Sequence, residues 1–278
     1  MTSGYFVGIG AQKAGTTWLA RYLSSHPEVF FSPEKELHYF DRIIHPRYDQ
    51  FFVQRLTKVC EGIPKGAKTV SSGRLSHLET LIARLRMTTD PQEYGRYFRA
   101  HSDGVRAFGE ITPAYSLLDR EGFGQMLAIF PEAKFLFLLR DPVSRFWSQL
   151  RFQHARRPGF DPLSQFEACL RNPGFIQRTD YRRTLEELLS VAAASRVLVL
   201  FYETLFSPDG HDEVRRLTDF LEITYQEADF QKAYNVSGTR PLPEPLREQA
   251  VRTFSHVYSY IYEIYGDQVP TGWEKPPE

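Results

Sequence analysis

Four short runs of nearly unbroken apolar residues punctuate the chain: Tyr5–Ile9, Val105–Glu110, Lys134–Leu139 and Arg196–Tyr202. Each has the length of a strand, and none alternates apolar with polar positions. That pattern predicts strands covered on both faces, as in a parallel sheet. Between them, apolar residues return at helical spacing over Thr16–Ser25, Leu75–Met87, Pro91–His101, Val143–Arg156, Tyr181–Ala194 and Asp212–Leu221. Strands alternating with helices predict an α/β fold, a central parallel sheet flanked by helices on both faces. A last helix, Pro245–Tyr265, carries Val251, Phe254, Val257, Tyr258, Ile261 and Tyr262 along one stripe, the pattern of a face that docks on the core. No repeat or low-complexity tract interrupts residues 1–278, which read as a single domain.

The first strand runs into Gly10-Ala-Gln-Lys13-Ala-Gly15, and Thr16-Thr17 then open a helix bearing Trp18, Leu19, Tyr22 and Leu23. Backbone N–H groups of such a loop point inward and the helix N-terminus adds partial positive charge, so the loop is built for a phosphate-like anion. A Walker A loop has Lys immediately before its final Ser/Thr. Here Thr16 holds that slot and the lysine lies inside the loop as Lys13. The displacement predicts a grip on a phosphorylated donor without the usual triphosphate and Mg²⁺ arrangement.

The block Gly10-Ala-Gln-Lys13-Ala-Gly15-Thr16-Thr17 resembles the 5′-phosphosulfate loop of sulfotransferases that use 3′-phosphoadenosine 5′-phosphosulfate (PAPS). Two further blocks agree in order: Lys35-Glu36-Leu-His38-Tyr-Phe40-Asp41, and Leu138-Leu-Arg140-Asp141-Pro142-Val-Ser-Arg145-Phe-Trp-Ser148. Their spacing resembles the heparan-sulfate-type and bacterial branch more than the cytosolic small-molecule branch. The resemblance implies a P-loop-like fold and transfer of a sulfuryl group from PAPS to an acceptor hydroxyl. PAP would be the product, and no metal would take part. By the same resemblance, Gln12, Lys13, Ala14, Gly15, Thr16, Thr17 and Trp18 would hold the donor. Arg140 and Ser148 would hold its 3′-phosphate, and Gly238, Thr239 and Arg240 would belong to a loop closing over the nucleotide. Tyr202, in Tyr202-Glu203-Thr-Leu205, would lie near the adenosine or simply pack in the core.

Sulfuryl transfer needs a stabilised leaving oxygen and a base for the acceptor hydroxyl. Lys13 suits the first task. Glu36 stands where this branch carries its glutamate base, and His38 is the competing base. Asp41 would orient that base or bind acceptor, Lys35 would steady an anion, and Tyr115 is a further acceptor-side candidate. Arg145, three residues before Ser148 and so on the same helical face, would help with phosphate or form a surface ion pair. Asp141 reads as the cap of the helix that Pro142 opens. The block Glu110-Ile111-Thr112-Pro113 has Ile111 where heparan-type enzymes often carry lysine, which argues against a polyanionic polysaccharide as acceptor.

The stretch Arg42–Asp90 is different in character, with Pro46, Gly62-Ile-Pro64-Lys-Gly66 and Ser71-Ser-Gly73 between short helical pieces. It reads as an insertion, either part of an acceptor-side wall or a structural decoration. Formal charge is zero and the pI near 7.1, so no global field recruits nucleic acid or an anionic membrane, and any anion site must be local. Cys60 and Cys169 lie far apart, as expected for reduced thiols. Met1-Thr-Ser-Gly has neither a basic region nor an apolar core, and the longest apolar runs are strand-sized, so the expectation is a cytoplasmic, bacterial enzyme with no membrane span. Acceptors in keeping with that location are a small metabolite, a carrier- or lipid-linked intermediate, or a glycan precursor. The competing readings are a P-loop nucleotide kinase or NTPase, disfavoured by Thr16, and an inactive nucleotide-binding module, disfavoured by Lys13 with Glu36.

Overall fold

The computed structural model describes residues 3–42, 47–230 and 240–275. In chain order the elements are β1 (Gly4–Gly10), α1 (Thr16–Ser25), β2 (Val29–Phe31), α2 (Tyr48–Glu61), α3 (Ser72–Arg86), α4 (Glu93–Arg99) and β3 (Ala107–Ile111). There follow α5 (Arg120–Ile129), β4 (Lys134–Leu139), α6 (Pro142–His154), α7 (Phe166–Leu170), α8 (Pro173–Ile176), α9 (Tyr181–Leu189) and β5 (Val197–Phe201). The chain ends with α10 (Tyr202–Leu205), α11 (Gly210–Leu221) and α12 (Glu244–Tyr265). The strands form one sheet in the order β2-β3-β1-β4-β5, and every pairing is parallel.

The expected fold is the one found, and its cause is visible in the strands. Every residue of β3, and every residue after the first in β1 and β4, is buried. Side chains alternate between the two faces, so both faces must be covered. One flank of the core is an aromatic cluster in which Tyr5 stacks on Phe130 with centroids 4.0 Å apart, while Phe98 and Phe108 close around them. The stripe on α12 docks as expected: Phe254 meets Phe146 of α6, and the Tyr258 hydroxyl donates to Asp141 at 2.5 Å. Asp141 also accepts from the Ser144 N–H at 2.7 Å, which confirms it as the cap of α6. Both cysteines are free.

Six elements escaped the sequence pattern: the short helices α7, α8 and α10, and β2, α5 and α2. The strand β2 has only three residues and a single sheet neighbour, too short for periodicity to register. The helix α5 contains Gly122 and Gly124, which read as breakers, yet Asp119 caps it by accepting from the Gly122 N–H at 3.0 Å. In α2 only Phe52 is buried, so it has almost no apolar stripe to find.

Because all five strands run the same way, their C-terminal ends share one edge of the sheet. The sheet order reverses around β1, and such a crevice is where open α/β folds bind ligands. The glycine loop follows β1, the Lys35–Asp41 block follows β2, Thr112 and Tyr115 follow β3, Arg140 follows β4 and Tyr202 follows β5. Topology alone gathers these distant residues.

Candidate active site

The glycine loop turns sharply. Lys13 has φ 72° and Gly15 φ 93°, both in the left-handed region. Gly15 is required twice over, because a Cβ there would also lie 2.9 Å from the Phe206 ring and 3.1 Å from the Tyr202 ring. Gly15→Ala is expected to cost about 1–2 kcal/mol from backbone strain, with further loss from ring displacement. A drop in both thermal midpoint and nucleotide affinity would register it; a midpoint equal to wild type would refute it.

Two arginines hold the loop open from behind. The Arg140 Nη1 donates to the Lys13 carbonyl at 3.1 Å, and its guanidinium lies 4.4 Å over the Tyr202 ring. The Arg140 Nε is enclosed with no hydrogen-bond partner among the described residues. Arg145 is fully buried, contrary to the surface ion pair considered above. It makes no ion pair among the described residues and instead donates to Thr179 Oγ1 at 2.9 Å, Gln149 Oε1 at 2.7 Å and the Gln12 carbonyl at 3.3 Å. Burial pulls its pKa down to about 10. Its place is therefore that of a strut under the loop.

Lys13 carries no ion pair among the described residues, and its ammonium sits 4.2 Å over the Phe152 ring of α6. Burial, then Arg140, Arg156, Arg151 and Arg145, bring its pKa down to about 8. Five cations thus gather around one loop, and among the described residues Lys13, Arg140, Arg145 and Arg156 form no ion pair. Such a concentration of charge fits a polyanionic ligand and would otherwise be costly. Arg151 and Arg156 were not singled out from the sequence; Arg151 is six residues past Arg145 on α6 and Arg156 lies just beyond its end, so helical spacing alone does not gather them.

The carboxylate block is held by an equally specific frame. Glu36 has φ 67° and His38 φ 49°, so the backbone is strained at both. The fully buried Glu110 accepts from the Leu37 N–H at 3.1 Å, Thr112 Oγ1 at 2.6 Å, Tyr94 at 2.7 Å and Tyr115 at 2.9 Å. The Tyr115 hydroxyl in turn accepts from the Tyr39 N–H at 3.0 Å. Tyr115 is thus fully enclosed and committed to bracing the block, a correction to its expected place on the acceptor side. From the other flank, buried Arg84 of α3 donates to the Leu37 carbonyl at 2.5 Å and the His38 carbonyl at 3.0 Å. Glu34 accepts from Arg55 of α2 at 2.7 Å and His77 of α3 at 2.6 Å. Glu110 and Arg84 were missed as supports because nothing local marks a buried charge whose partners lie tens of residues away.

Within this frame Asp41, His38 and Glu36 form a chain. The His38 Nδ1 meets Asp41 Oδ2 at 2.8 Å, and its Nε2 lies 3.6 Å from Glu36 Oε2. Lys35 pairs with Glu36 on the other side. Burial would push the Glu36 carboxyl up, but the His38 hydrogen bond and Lys35 outweigh it and hold it at about 2. Burial likewise works against charge on His38, yet hydrogen bonds to Asp41 and Glu36 raise its pKa. Asp41 is completely buried, so it orients His38, and its Oδ1 has no partner among the described residues. Glu36 is the outermost of the three, 38% exposed against 10% for His38. The His38 ring stacks on Tyr48 of α2 at 3.7 Å, and a cavity of about 450 Å³ is lined by His38, Arg47, Tyr48 and Phe51.

The other expected ligand residues are placed as follows. Gln12, Ala14, Thr16 and Thr17 belong to the loop and the first turn of α1, and Ser148 is buried on α6. Trp18 is only 4% exposed; its ring packs parallel to Tyr22 and Phe230, and its N–H donates to the Asp229 carbonyl at 2.9 Å. The Arg240 guanidinium lies 3.6 Å from Asp161. Gly238 and Thr239 lie outside the described residues.

A profile described as the sulfotransferase family matches residues 6–227, from β1 through the end of α11. The chain belongs to that family. This family member is 26% identical over 276 residues to carbohydrate sulfotransferase 15 of Rattus norvegicus, covering 90% of this chain and 46% of the relative. It is 25% identical over 182 residues to the membrane-associated sulfotransferase kil1 of Dictyostelium discoideum, covering 64% and 29%. The chain thus spans less than half the length of these curated relatives. Its fold resembles a sulfotransferase from Alicyclobacillus acidocaldarius, with TM-score 0.63 at 24% identity over 95% of this chain and 96% of the other. The sulfotransferase domain of the curacin biosynthetic pathway gives TM-score 0.54 at 17% identity, over 92% and 98%. No described helix of this sulfotransferase-family chain is long and apolar enough to cross a membrane, and no metal-binding cluster occurs among the described residues.

Proposed function

We propose that the chain transfers a sulfuryl group from PAPS to an acceptor hydroxyl. The observation that carries this reading is the pair of oppositely charged sites at one sheet edge: clustered cations around Lys13, and the Asp41–His38–Glu36 chain. PAPS supplies a sulfuryl group on a phosphate leaving oxygen. The loop N–H groups from Gly15 to Thr17 and Lys13 bind its 5′-phosphosulfate, and the orphaned Arg140 Nε supports a further phosphate contact. As the acceptor oxygen bonds to sulfur, the old S–O bond breaks and its electron pair stays on the phosphate oxygen, where Lys13 meets the new charge.

Glu36 takes the hydroxyl proton. A carboxylate held at about 2 is a weak base, so the proton moves only as S–O bond formation makes the hydroxyl acidic. His38, set between two carboxylates, fixes the orientation of Glu36. The helical pair α2 and α3, the heart of the 42–90 insertion, serves as the acceptor-side wall; Tyr48 on His38 and Arg84 on the loop carbonyls support that reading. The single domain spans the whole chain.

Nucleotide choice tests the donor site. PAP is expected to bind much more tightly than 5′-AMP, and Arg140→Ala should remove most of the difference, since a charge-assisted contact contributes about 1.5–3 kcal/mol. Equal affinities of the wild type for PAP and AMP, by calorimetry, would overturn the assignment of Arg140 with Ser148. EDTA is expected to leave turnover unchanged, because Lys13 replaces the Walker lysine and its Mg²⁺. Loss of activity with EDTA and its return with Mg²⁺ would favour a kinase-type reaction.

A further inference from the structure

Arg178, between α8 and α9, is marked by no motif; it lies within electrostatic reach of Arg145 under the glycine loop and of the carboxylate block. Its guanidinium lies in the electrostatic neighbourhood of Tyr48, Asp41 and Glu36, with Tyr48 also lining the 450 Å³ cavity beside His38. It forms no ion pair within 4.0 Å among the described residues, although two carboxylates are near. Its Nη1 is enclosed and finds no acceptor among the described residues. Both carboxylates are already engaged, Asp41 by His38 and Glu36 by Lys35. An enclosed donor on a half-buried cation costs stability unless something else completes it. The cavity wall adds a second cation, Arg47, to an apolar lining of Tyr48 and Phe51.

We infer that Arg178 is a specificity determinant on the acceptor side, and that the acceptor is a hydroxyl compound with an apolar body and a single anionic group, carboxylate, sulfate or phosphate, which this guanidinium receives. The inference rests on the sulfuryl-transfer reading and names the substrate class of its acceptor pocket. A row of anions does not fit, because Glu36 and Asp41 stand near Arg178 and would repel the rest. The same chemistry has a second possible source, the sulfuryl oxygens of the donor, and the test separates the two.

The PAP-saturated protein is titrated with 4-hydroxybenzoate and 4-hydroxybenzamide, and with 6-hydroxyhexanoate and its amide. Each pair differs in charge and little in shape. The wild type should prefer the anion of each pair by about ten- to hundredfold. Arg178→Gln should level both pairs while PAP affinity and the PAPS-to-PAP affinity ratio hold, and Arg178→Lys should keep part of the preference. The thermal midpoint of Arg178→Gln should stay near wild type, since the guanidinium removed makes no ion pair and leaves its enclosed Nη1 unmet among the described residues; a merely structural arginine would lower it. No anion preference in either pair of the wild type overturns the inference. A fall in the PAPS-to-PAP ratio in Arg178→Gln also overturns it, by assigning the guanidinium to the sulfuryl group. Failure of PAP itself to bind would instead sink the donor reading on which this one stands.

Discussion

Glu36→Gln is expected to slow turnover by about 10²–10⁴-fold, the usual contribution of a positioned base, while leaving PAP affinity nearly unchanged. The amide keeps the shape and one acceptor oxygen toward His38 but cannot take a proton. Its effect should fall on kcat, because the carboxylate faces the acceptor at the lip of the site while the nucleotide grip lies on the β1 loop. The pH profile distinguishes the two candidate bases. With Glu36 held at about 2, kcat/KM should stay flat as pH falls from 7 to 5. His38 titrates above the ordinary imidazole value of 6.5, so if it were the base, activity would rise with pH on an acid limb centred above that value. His38→Ala then completes the comparison. A steep acid limb in the wild type, abolished turnover in His38→Ala and an active Glu36→Gln would together transfer the role of base to the histidine.

Lys13→Met should lower turnover by about 10²–10³-fold, the range seen when one donor to a developing oxyanion is removed, and should also weaken PAP and PAPS. The two effects have one cause: the ammonium meets the phosphosulfate in the ground state and the leaving oxygen in the transition state. A protonation signature makes the test specific. Burial and four arginines depress Lys13 to about 8 in the free protein. A bound polyanion reverses that balance and raises it, so at pH 8.5 the wild type should take up a proton on binding PAP. Calorimetry in buffers of different ionisation enthalpy reads this directly. The uptake should vanish in Lys13→Met, and its persistence there would assign the proton to another group.

What the sequence by itself determined is whatever depends on neighbours within a turn or two. Continuous apolar runs made parallel strands, the stripe on α12 found the core, and Asp141 with Pro142 opened α6. Gly10 to Thr17 made an anion loop because glycine backbone freedom and a helix start are local properties. The family itself was legible in three blocks. Tertiary structure decided how these pieces were supported and which side chains stayed free. Leu37 meets Glu110 across 73 positions, and Gln12 meets Arg145 across 133. No spacing rule reaches that far. Arg145 and Ser148 share a helical face, yet burial made Arg145 a strut. Tyr115 looked like an acceptor contact until the Glu110 network enclosed its hydroxyl. Arg178 carries no sequence signal, and only folding brought it within electrostatic reach of Glu36 and Asp41 with its Nη1 without a partner among the described residues. The physical reason is the same in each case: periodicity records which face of an element is apolar, whereas the fate of a buried charge is set by partners that only the packed sheet brings within reach.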